Sequence, residues 1–435
     1  MKKIYLSVAA ALAISTAATA QCTGLYAADV YSVTTTTAIT YGSNLDYTGA
    51  ATTLTLDFYE PTGDLSTARP LIIWAHGGSF IGGTSADADV TSLSQHFAKK
   101  GYVCASINYR IGVSSFDSVG LNQAVVRAVQ DLKAAIRFFY KDKKTGTNTY
   151  KIDTTNIFIG GSSAGSITVL HTEYLNKACK IYPYVDSTTL AGLGGLDGAS
   201  GNAGYSTKVK GVIDLCGGLG IYGWLEAGNT PLCSMHGTAD ATVPYSRGIV
   251  NPGIPIQYID GSRMIYERAL CVGVQDNFYT WLGAPHVPYA GTTTAQLAYM
   301  DTTVNFVRDY LLQRLNITCT NLQNPNPAHG SATLYTYTAS CSSGPGVCIS
   351  GIKSVNTNLL QEVYPNPSEN EIKVVFANED THTIQVTDLS GRVVKLAVTT
   401  QAVYTLEKSN LTSGVYFLKV SNNQGETSVQ KIIFY

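Results

Sequence analysis

Residues 157–170 read IFIGGSSAGSITVL, and this stretch decides the fold. The apolar run IFI is followed by a Gly-rich turn and then by SITVLHTEYL, whose pattern is typical of a helix. The turn fits the pattern G-x-S-x-G, centred on Ser163. Small residues are needed on both sides because the serine of such a strained turn is pushed out above the sheet edge. Ser163 is therefore the candidate nucleophile, since Ser162 and Ser166 lack glycines at the same offsets.

The surrounding sequence alternates between strand and helix patterns from about residue 50 to residue 316. Continuous apolar runs at 71–75 and 103–107 are typical of parallel strands covered on both faces. Apolar residues recur at helical spacing between Leu121 and Tyr140, and again between Val304 and Leu315. We predict an α/β fold, a mostly parallel sheet with helices on both faces, within residues 21–316.

A serine hydroxyl becomes a good nucleophile only when a base takes its proton and an acid orients that base. In this architecture the acid follows the serine along the chain, and the histidine follows the acid. Asp240 comes after the apolar run PLCSM, and His286 comes after the apolar run at 278–282. Both are expected on loops at the carboxyl ends of strands, where open α/β sheets place their active sites. We predict Ser163, Asp240 and His286 as a catalytic triad.

Other acidic and histidine side chains are alternatives for these roles. Asp214, inside the run VIDLC, is the second candidate for the acid. His236 lies four residues before Asp240 and is expected to brace that turn. The remaining histidines outside the motifs are expected to be packed or solvated, or to lie beyond this region: His96, His171, His329 and His382.

Attack by a serine on a carbonyl also creates an oxyanion, which needs hydrogen-bond donors. The motif HGGSF at 76–80 follows the strand-like run LIIWA, and its glycines allow close approach of backbone N–H groups. We predict an oxyanion hole formed by the N–H groups of Gly78, Ser79 and Ala164. Such chemistry needs no metal and no organic cofactor, and no Cys/His spacing resembles a zinc site.

The first 20 residues have the features of a cleaved secretory signal peptide. They begin with two lysines, continue with the apolar stretch LSVAAALAI, and end with the small-x-small pattern of residues 18–20. Cys22 is not preceded by the small residue that a lipoprotein signal requires. No other segment is long and apolar enough to be a transmembrane anchor. The 29 basic and 30 acidic side chains give no reason to expect a nucleic-acid partner.

The chain has nine cysteines, and export permits them to form disulfide bonds. An odd number leaves at least one thiol without a partner in the chain. Cys341 and Cys348 bracket the short loop SSGPGV and could close it. The cysteines within apolar strand-like runs are expected to be buried thiols instead: Cys104, Cys216 and Cys233.

The sequence changes character after residue 316. Residues 317–358 are rich in Asn, Pro, Ser, Thr and Gly, as is typical of a linker. Residues 359–435 contain the strand-like runs IKVVF, TIQVTDL, GVYFLKV and QKIIFY, separated by turn residues. This pattern predicts a small all-β sandwich of the immunoglobulin-like kind.

The motifs HGGSF, INYR, GSSAG, HGTADATVP and GAPHVP together resemble those of the α/β-hydrolase superfamily. The resemblance is to its carboxylesterases of the hormone-sensitive-lipase and type-B kind. It implies Ser163 as nucleophile, Asp240 as acid, His286 as base, and acyl-enzyme chemistry on carboxylic esters. Two positions depart from the usual pattern: Ser79 stands where many relatives have a third glycine, and Pro285 where glycine is commoner.

The motifs VYPNPSENEIKV, VTDLSGRVV, LTSGVYFLKV and the ending QKIIFY resemble the type A sorting domain of type IX secretion. The resemblance covers residues 359–435. It implies transport across the inner membrane by the signal peptide and then across the outer membrane by the type IX machinery. The domain would then be removed, and the protein released or attached to the cell surface.

Together these features predict a secreted or surface-attached serine esterase. The expected substrates are short acyl or feruloyl esters, including esters on polysaccharides, because export brings the enzyme to polymers outside the cell. A serine peptidase is an alternative, although the prolyl-peptidase relatives carry a large extra β domain for which the sequence has no room. A lipase is another, with the insert Ala191–Gly204 as a mobile lid. The alternative from a different class is a binding module on a non-catalytic hydrolase scaffold.

Overall fold

The computed structural model describes residues 24–318, 359–378, 380–389, 392–422 and 427–435. Contacts divide the chain into an N-terminal unit, Met1–Cys348, and a C-terminal unit, Ile349–Tyr435. The predicted signal peptide, most of the predicted linker and the loop between Cys341 and Cys348 lie outside the described residues. The predicted domain boundaries therefore stay predictions.

The N-terminal unit contains the following described strands: β1 (Val33–Leu45), β2 (Ala51–Pro61), β3 (Arg69–Ala75), β4 (Val103–Ile107), β5 (Ile152–Ser162), β6 (Gly211–Leu215), β7 (Gly218–Leu219), β8 (Leu232–Gly237), β9 (Arg247–Ile249), β10 (Tyr258–Gly261) and β11 (Asp276–Trp281). Eight of them form one sheet in the order β1-β2-β4-β3-β5-β6-β8-β11. β1 and β2 are antiparallel to their neighbours, and every pair from β4 to β11 is parallel. β7, β10 and β9 form a small second sheet.

The described helices of this unit are α1 (Ala88–Lys99), α2 (Ser118–Lys144), α3 (Ala164–Tyr174), α4 (Ala178–Ile181), α5 (Ser187–Gly192), α6 (Ser262–Val272) and α7 (Thr294–Arg314). Alternate side chains of β3 enter two separate cores, with Ile73 on one side of the sheet and Trp74 on the other. The first core includes side chains of α2, α3 and α6, and the second includes those of α1 and α7. The fold predicted from the sequence, a mostly parallel sheet with helices on both faces, is therefore confirmed.

The insert Ala191–Gly204 is held against the N-terminal unit by buried polar contacts. Ser200 donates a hydrogen bond to the buried carboxylate of Asp131 over 2.6 Å, and Asp131 is also paired with Arg110. The side-chain amide of Gln130 donates to two backbone carbonyls of the insert, at 2.8 and 2.6 Å. These contacts hold the insert in place, as expected of a surface loop.

The cysteines of the N-terminal unit are of two kinds. Cys104, Cys216 and Cys233 are free and buried, as predicted, and burial raises the pKa of each thiol. Cys179 and Cys271 are disulfide-bonded, and no feature of the sequence had singled them out. In the part of the chain that the structure describes, no helix has the length and hydrophobicity needed to cross a membrane.

The C-terminal unit contains the described strands β12 (Leu360–Tyr364), β13 (Glu371–Phe376), β14 (His382–Thr387), β15 (Val393–Thr399), β16 (Val403–Glu407), β17 (Gly414–Asn422) and β18 (Thr427–Phe434). They form a three-stranded sheet, β12-β13-β16, and a four-stranded sheet, β15-β14-β17-β18. Buried side chains from both sheets share one core, with Ile372 and Leu406 from the first sheet and Ile384 and Leu418 from the second. The predicted all-β sandwich is confirmed.

Candidate active site

Ser163 lies at the junction between β5 and α3, at the carboxyl edge of the parallel sheet. Its backbone has φ +56°, a strained conformation that L-residues rarely adopt and that occurs mainly at functional sites. The two flanking glycines are required by close packing. A Cβ on Gly161 would lie 2.2 Å from the backbone of Gly165, and a Cβ on Gly165 would lie 2.0 Å from the carbonyl oxygen of Ala75. The turn therefore forms only with hydrogen atoms at both positions.

The structure brings Ser163, His286 and Asp240 together in one hydrogen-bonded series. Ser163 Oγ lies 2.7 Å from His286 Nε2, and His286 Nδ1 lies 2.6 Å from Asp240 Oδ2. Because Asp240 accepts from Nδ1–H, Nε2 of a neutral His286 is free to accept the proton of the serine hydroxyl. Ser163 follows β5, Asp240 follows β8 and His286 follows β11, at the edge where the sequence predicted them.

The carboxylate of Asp240 is fixed by its own loop. Its side chain is fully buried, and Oδ1 accepts hydrogen bonds from the N–H groups of Thr242 and Val243, each at 2.9 Å. Burial by itself would raise the pKa of Asp240. Hydrogen bonds from His236 and His286 outweigh burial and hold the pKa of this carboxyl well below its ordinary value. Asp240 is therefore ionised at every pH at which His286 could act as a base.

The loop after β3 presents backbone N–H groups beside Ser163. Gly78, Ser79 and Phe80 have φ values of +103°, +54° and +63°. The Gly78 carbonyl accepts from two N–H groups further along the loop, whereas the N–H groups of Gly78 and Ser79 donate to no acceptor within the described residues. Ala164 is the first residue of α3, where N–H groups have no partner inside the helix. These are the three donors that the sequence predicted for an oxyanion.

Tyr109, from the INYR motif, supports this loop, and the sequence had not given it a role. Its ring stacks on the ring of His76 with centroids 4.3 Å apart, and its hydroxyl donates to the His76 carbonyl over 2.8 Å. His76 Nδ1 in turn contacts the Gly77 carbonyl at 2.7 Å. The pair orders the chain that leads into the glycines. The sequence did contain a signal for this pair, since an aromatic ring follows shortly after each of two neighbouring strands: His76 after β3 and Tyr109 after β4.

The alternative residues considered from the sequence occupy other positions. Asp214 accepts hydrogen bonds from Ser166, Gly217 and Ser262, so its oxygens are engaged away from His286. His171 is buried in α3, and burial lowers its pKa to about 4, so this ring is neutral in solution at neutral pH.

Two cavities meet at Ser163. One is partly enclosed and mainly apolar, with a volume of about 70 Å³, and it is lined among others by Val125, Ile167 and Trp224. The other is an open, more polar cleft of about 570 Å³, which reaches His286. Ser163 and Ser79 line both cavities. The nucleophile therefore lies between a partly enclosed apolar space and a more open polar one.

One cluster in the described residues has donor atoms near enough to one another for a metal ion. It consists of Cys216, Asp240 and His286, with these atoms within 4.8 Å of each other. The direct hydrogen bond between His286 and Asp240 already accounts for the closeness of two of the three.

A serine, a histidine and an aspartate hydrogen-bonded in series on these loops define the site type of an α/β-hydrolase. Comparison with family models agrees with this assignment. Residues 56–226 match the model described as BD-FAE, an α/β-hydrolase esterase domain, and residues 362–435 match the model described as a secretion system C-terminal sorting domain. Both resemblances inferred from the motifs are confirmed, and the second match indicates export.

Curated proteins with similar sequences include several esterases. Carboxylesterase 3B of Mus musculus is 32% identical over 121 residues, which are 27% of this chain and 19% of the mouse protein. Gut esterase 1 of Caenorhabditis briggsae is 28% identical over 117 residues, or 27% of this chain and 20% of that protein. The chain thus spans about a fifth of the length of these relatives.

A solved structure with similarity to the chain is that of Thermogutta terrifontis esterase 2 phosphonylated by cyclosarin. It is 20% identical, with a TM-score of 0.47, over 64% of this chain and 94% of the esterase.

Proposed function

We propose that the protein is an exported serine esterase that hydrolyses carboxylic esters through an acyl-enzyme. The hydrogen-bonded series Ser163–His286–Asp240, at 2.7 and 2.6 Å, is the observation that carries the proposal. A scaffold with only a binding role would not require a serine at φ +56°, a buried acid and an oriented imidazole in one line. The sequence similarity to carboxylesterases supports the same class.

In the proposed reaction, His286 Nε2 takes the proton of Ser163 as Oγ attacks the ester carbonyl carbon. The carbonyl oxygen becomes an oxyanion, which accepts hydrogen bonds from the N–H groups of Gly78, Ser79 and Ala164. Asp240 stabilises the imidazolium that forms. His286 then gives its proton to the leaving alcohol oxygen, which breaks the ester bond. Water, activated by the same histidine, hydrolyses the acyl-enzyme and regenerates Ser163.

The two cavities favour a short acyl group on a larger alcohol. By the usual measure for a buried water, a partly enclosed space of about 70 Å³ holds roughly five water molecules, a volume suited to a short acyl chain. The open cleft on the His286 side sets no comparable limit on the alcohol, so it could accept a sugar of a polysaccharide. These dimensions, with the pinned insert, favour an esterase over a lipase.

A feruloyl group, the second acyl candidate, is larger than a space of about 70 Å³ and would also need the open cleft, but the apolar cavity contains a polar pair that suits its phenol. Asn122 and Gln257 face each other there, with hydrogen bonds of 3.1 and 2.7 Å between their amides. Either amide could receive the phenolic hydroxyl of a feruloyl ring.

Passage through the type IX machinery is also part of the proposal. The match of residues 362–435 to a sorting domain supports it, and the features of residues 1–20 support prior export across the inner membrane. The C-terminal unit would then be a sorting signal for export and would take no part in catalysis.

Hydrolysis of p-nitrophenyl acetate, butyrate and laurate, and of methyl ferulate, tests this function. We expect kcat/KM to be greatest for acetate or butyrate and to fall by at least about 100-fold for laurate. The same assays on Ser163→Ala should show a loss of about 10⁶-fold in kcat. Turnover that survives unchanged in Ser163→Ala would refute the nucleophile, and inactivity of the native protein on all four esters would favour the peptidase or binding-module alternatives.

The acyl assignment predicts that filling the apolar cavity restricts chain length. Val125→Trp, on the cavity-facing side of α2, should lower kcat/KM for butyrate at least about 10-fold more than for acetate, because the indole occupies the space of the longer chain. Val119→Trp is the matched control, since Val119 is 57% exposed on the same helix and should leave the ratio unchanged. An unchanged butyrate-to-acetate ratio in Val125→Trp would place the acyl group in the open cleft.

A further inference from the structure

His236 lies directly behind the acid of the proposed triad, and the hydrogen-bond partners of its ring define its protonation. Nε2 lies 3.0 Å from the carbonyl oxygen of Val243 and 3.1 Å from Asp240 Oδ2. A carbonyl oxygen and an ionised carboxylate can only accept hydrogen bonds. Nε2 must therefore carry a proton.

The other ring nitrogen faces a hydroxyl whose own proton is already engaged. Nδ1 lies 2.7 Å from Ser262 Oγ, and the Ser262 hydroxyl donates to Asp214 Oδ2 over 2.7 Å. Asp214 acts as an acceptor at its second oxygen too, from Ser166 Oγ at 2.5 Å and from the N–H of Gly217 at 2.9 Å. When Asp214 is ionised, Ser262 Oγ is left to accept from His236, and Nδ1 then carries a proton as well.

We infer that His236 is a buried imidazolium that positions Asp240 and moderates its charge for His286. This inference rests on the proposed function, because it concerns the same triad. The ring is fully buried, and a buried charge persists only when it is paired. Its pairing is with two carboxylates, Asp240 directly and Asp214 through Ser262. Asp240 and Asp214, the two candidates for the acid in the sequence analysis, therefore have different roles.

The functional consequence follows from the sharing of Asp240 Oδ2 between His286 and His236. An isolated buried carboxylate would strongly favour the protonated form of His286, which cannot act as a base. A cation on its far side offsets part of that negative charge, so that less of the charge of Asp240 acts on His286. The same cation keeps Asp240 ionised, in agreement with the lowered pKa of that carboxyl.

Two other titratable groups near this site, Tyr245 and Cys216, do not supply this charge. The Tyr245 ring packs edge-on against His236 with centroids 5.8 Å apart, and burial raises the pKa of its hydroxyl, so it stays neutral. Cys216 lies near Asp240, and its thiol also stays neutral, because burial and the charge of Asp240 both raise its pKa.

The first test is the pH dependence of kcat/KM for p-nitrophenyl acetate with the full-length protein and with His236→Gln. Glutamine can still donate to Val243 and Asp240 but carries no charge. We expect the acid limb of the profile to move to higher pH by about one unit, with the plateau above pH 8 within about 10-fold of the native value. Ser262→Ala should move the limb in the same direction by about half as much. His96→Gln, on α1, is the matched control and should not move it.

The second test does not depend on catalysis. In ¹⁵N-histidine NMR spectra of the full-length protein at pH 8, the ring absent from the His236→Gln spectrum should have a proton on both nitrogens. Ser262→Ala identifies the same ring if His236→Gln does not fold. A ring with one proton would overturn the inference, as would an unmoved acid limb in a His236→Gln protein that merely unfolds at lower temperature. If the native protein hydrolyses no ester, the proposed function fails, and the NMR result still decides the charge of His236.

Discussion

Replacement of Asp240 by asparagine is expected to lower kcat for ester hydrolysis by about 10⁴-fold, with little change in KM. The carboxylate now fixes the His286 tautomer by accepting from Nδ1–H at 2.6 Å. Asparagine can place its NH₂ group there as a donor. His286 would then adopt its other neutral tautomer, in which Nδ1 accepts from the asparagine and Nε2 carries the proton that faces Ser163. Nε2 could no longer take the serine proton. Steady-state kinetics with p-nitrophenyl acetate at pH 8 to 9 measure the loss.

Asp214→Asn is the comparison that separates the two acids. Asp214 is also an acid with a buried side chain, but its oxygens are bound to Ser166, Ser262 and Gly217. We expect its kcat at the same pH to stay within about 10-fold of the native value, although the variant loses stability. A loss in Asp214→Asn equal to that in Asp240→Asn would contradict the assignment of the acid.

The meeting of Ser163, His286 and Asp240 could be predicted from the sequence because the parts of the site are local. A strand, a Gly-flanked serine and a helix are adjacent in the chain, and a loop after each of two later strands must reach the same sheet edge. Order along the chain therefore predicted which three side chains meet. The prediction extended to Gly78, Ser79 and Ala164 for the same reason, since their roles depend on backbone groups and not on distant side chains.

What the sequence did not reveal depends on pairing between distant segments. The hydrogen-bonded series from Asp214 through Ser262 to His236 joins β6, α6 and β8, and nothing in the sequence indicates these contacts. His236 was expected to brace a turn, and its contact with Val243 agrees, but its partner Ser262 is 26 residues away.

Strands of the C-terminal unit were missed for a related reason. The pattern of alternating apolar residues did not predict β12, β15 or β16. In β15, Leu396 and Val398 are 66% and 65% exposed, so the apolar side chains of this strand do not mark a buried face. Its pairing with β14 places it in the sheet, and that pairing is set by the neighbouring strand and not by its own sequence.

Gly165→Ala is expected to have the largest effect on stability of any single methyl group added to the site. The new Cβ would lie 2.0 Å from the carbonyl oxygen of Ala75 and 2.5 Å from that of His76. Both belong to backbone at the end of β3, which is hydrogen-bonded to β4 and β5 on its two sides. Neither the strand nor the start of α3 can move away without breaking the turn that holds Ser163.

We therefore expect Gly165→Ala to lower the free energy of unfolding of the N-terminal unit by about 4 kcal/mol or more, and to abolish ester hydrolysis. Urea denaturation followed by tryptophan fluorescence measures the first effect. Gly192→Ala is the matched control, because Gly192 ends α5 with open space around its Cβ position, and there alanine should be neutral or slightly stabilising. Equal stability of the two variants would mean that the turn at Ser163 is looser than this packing requires, and that the position of the nucleophile depends on its hydrogen bond to His286.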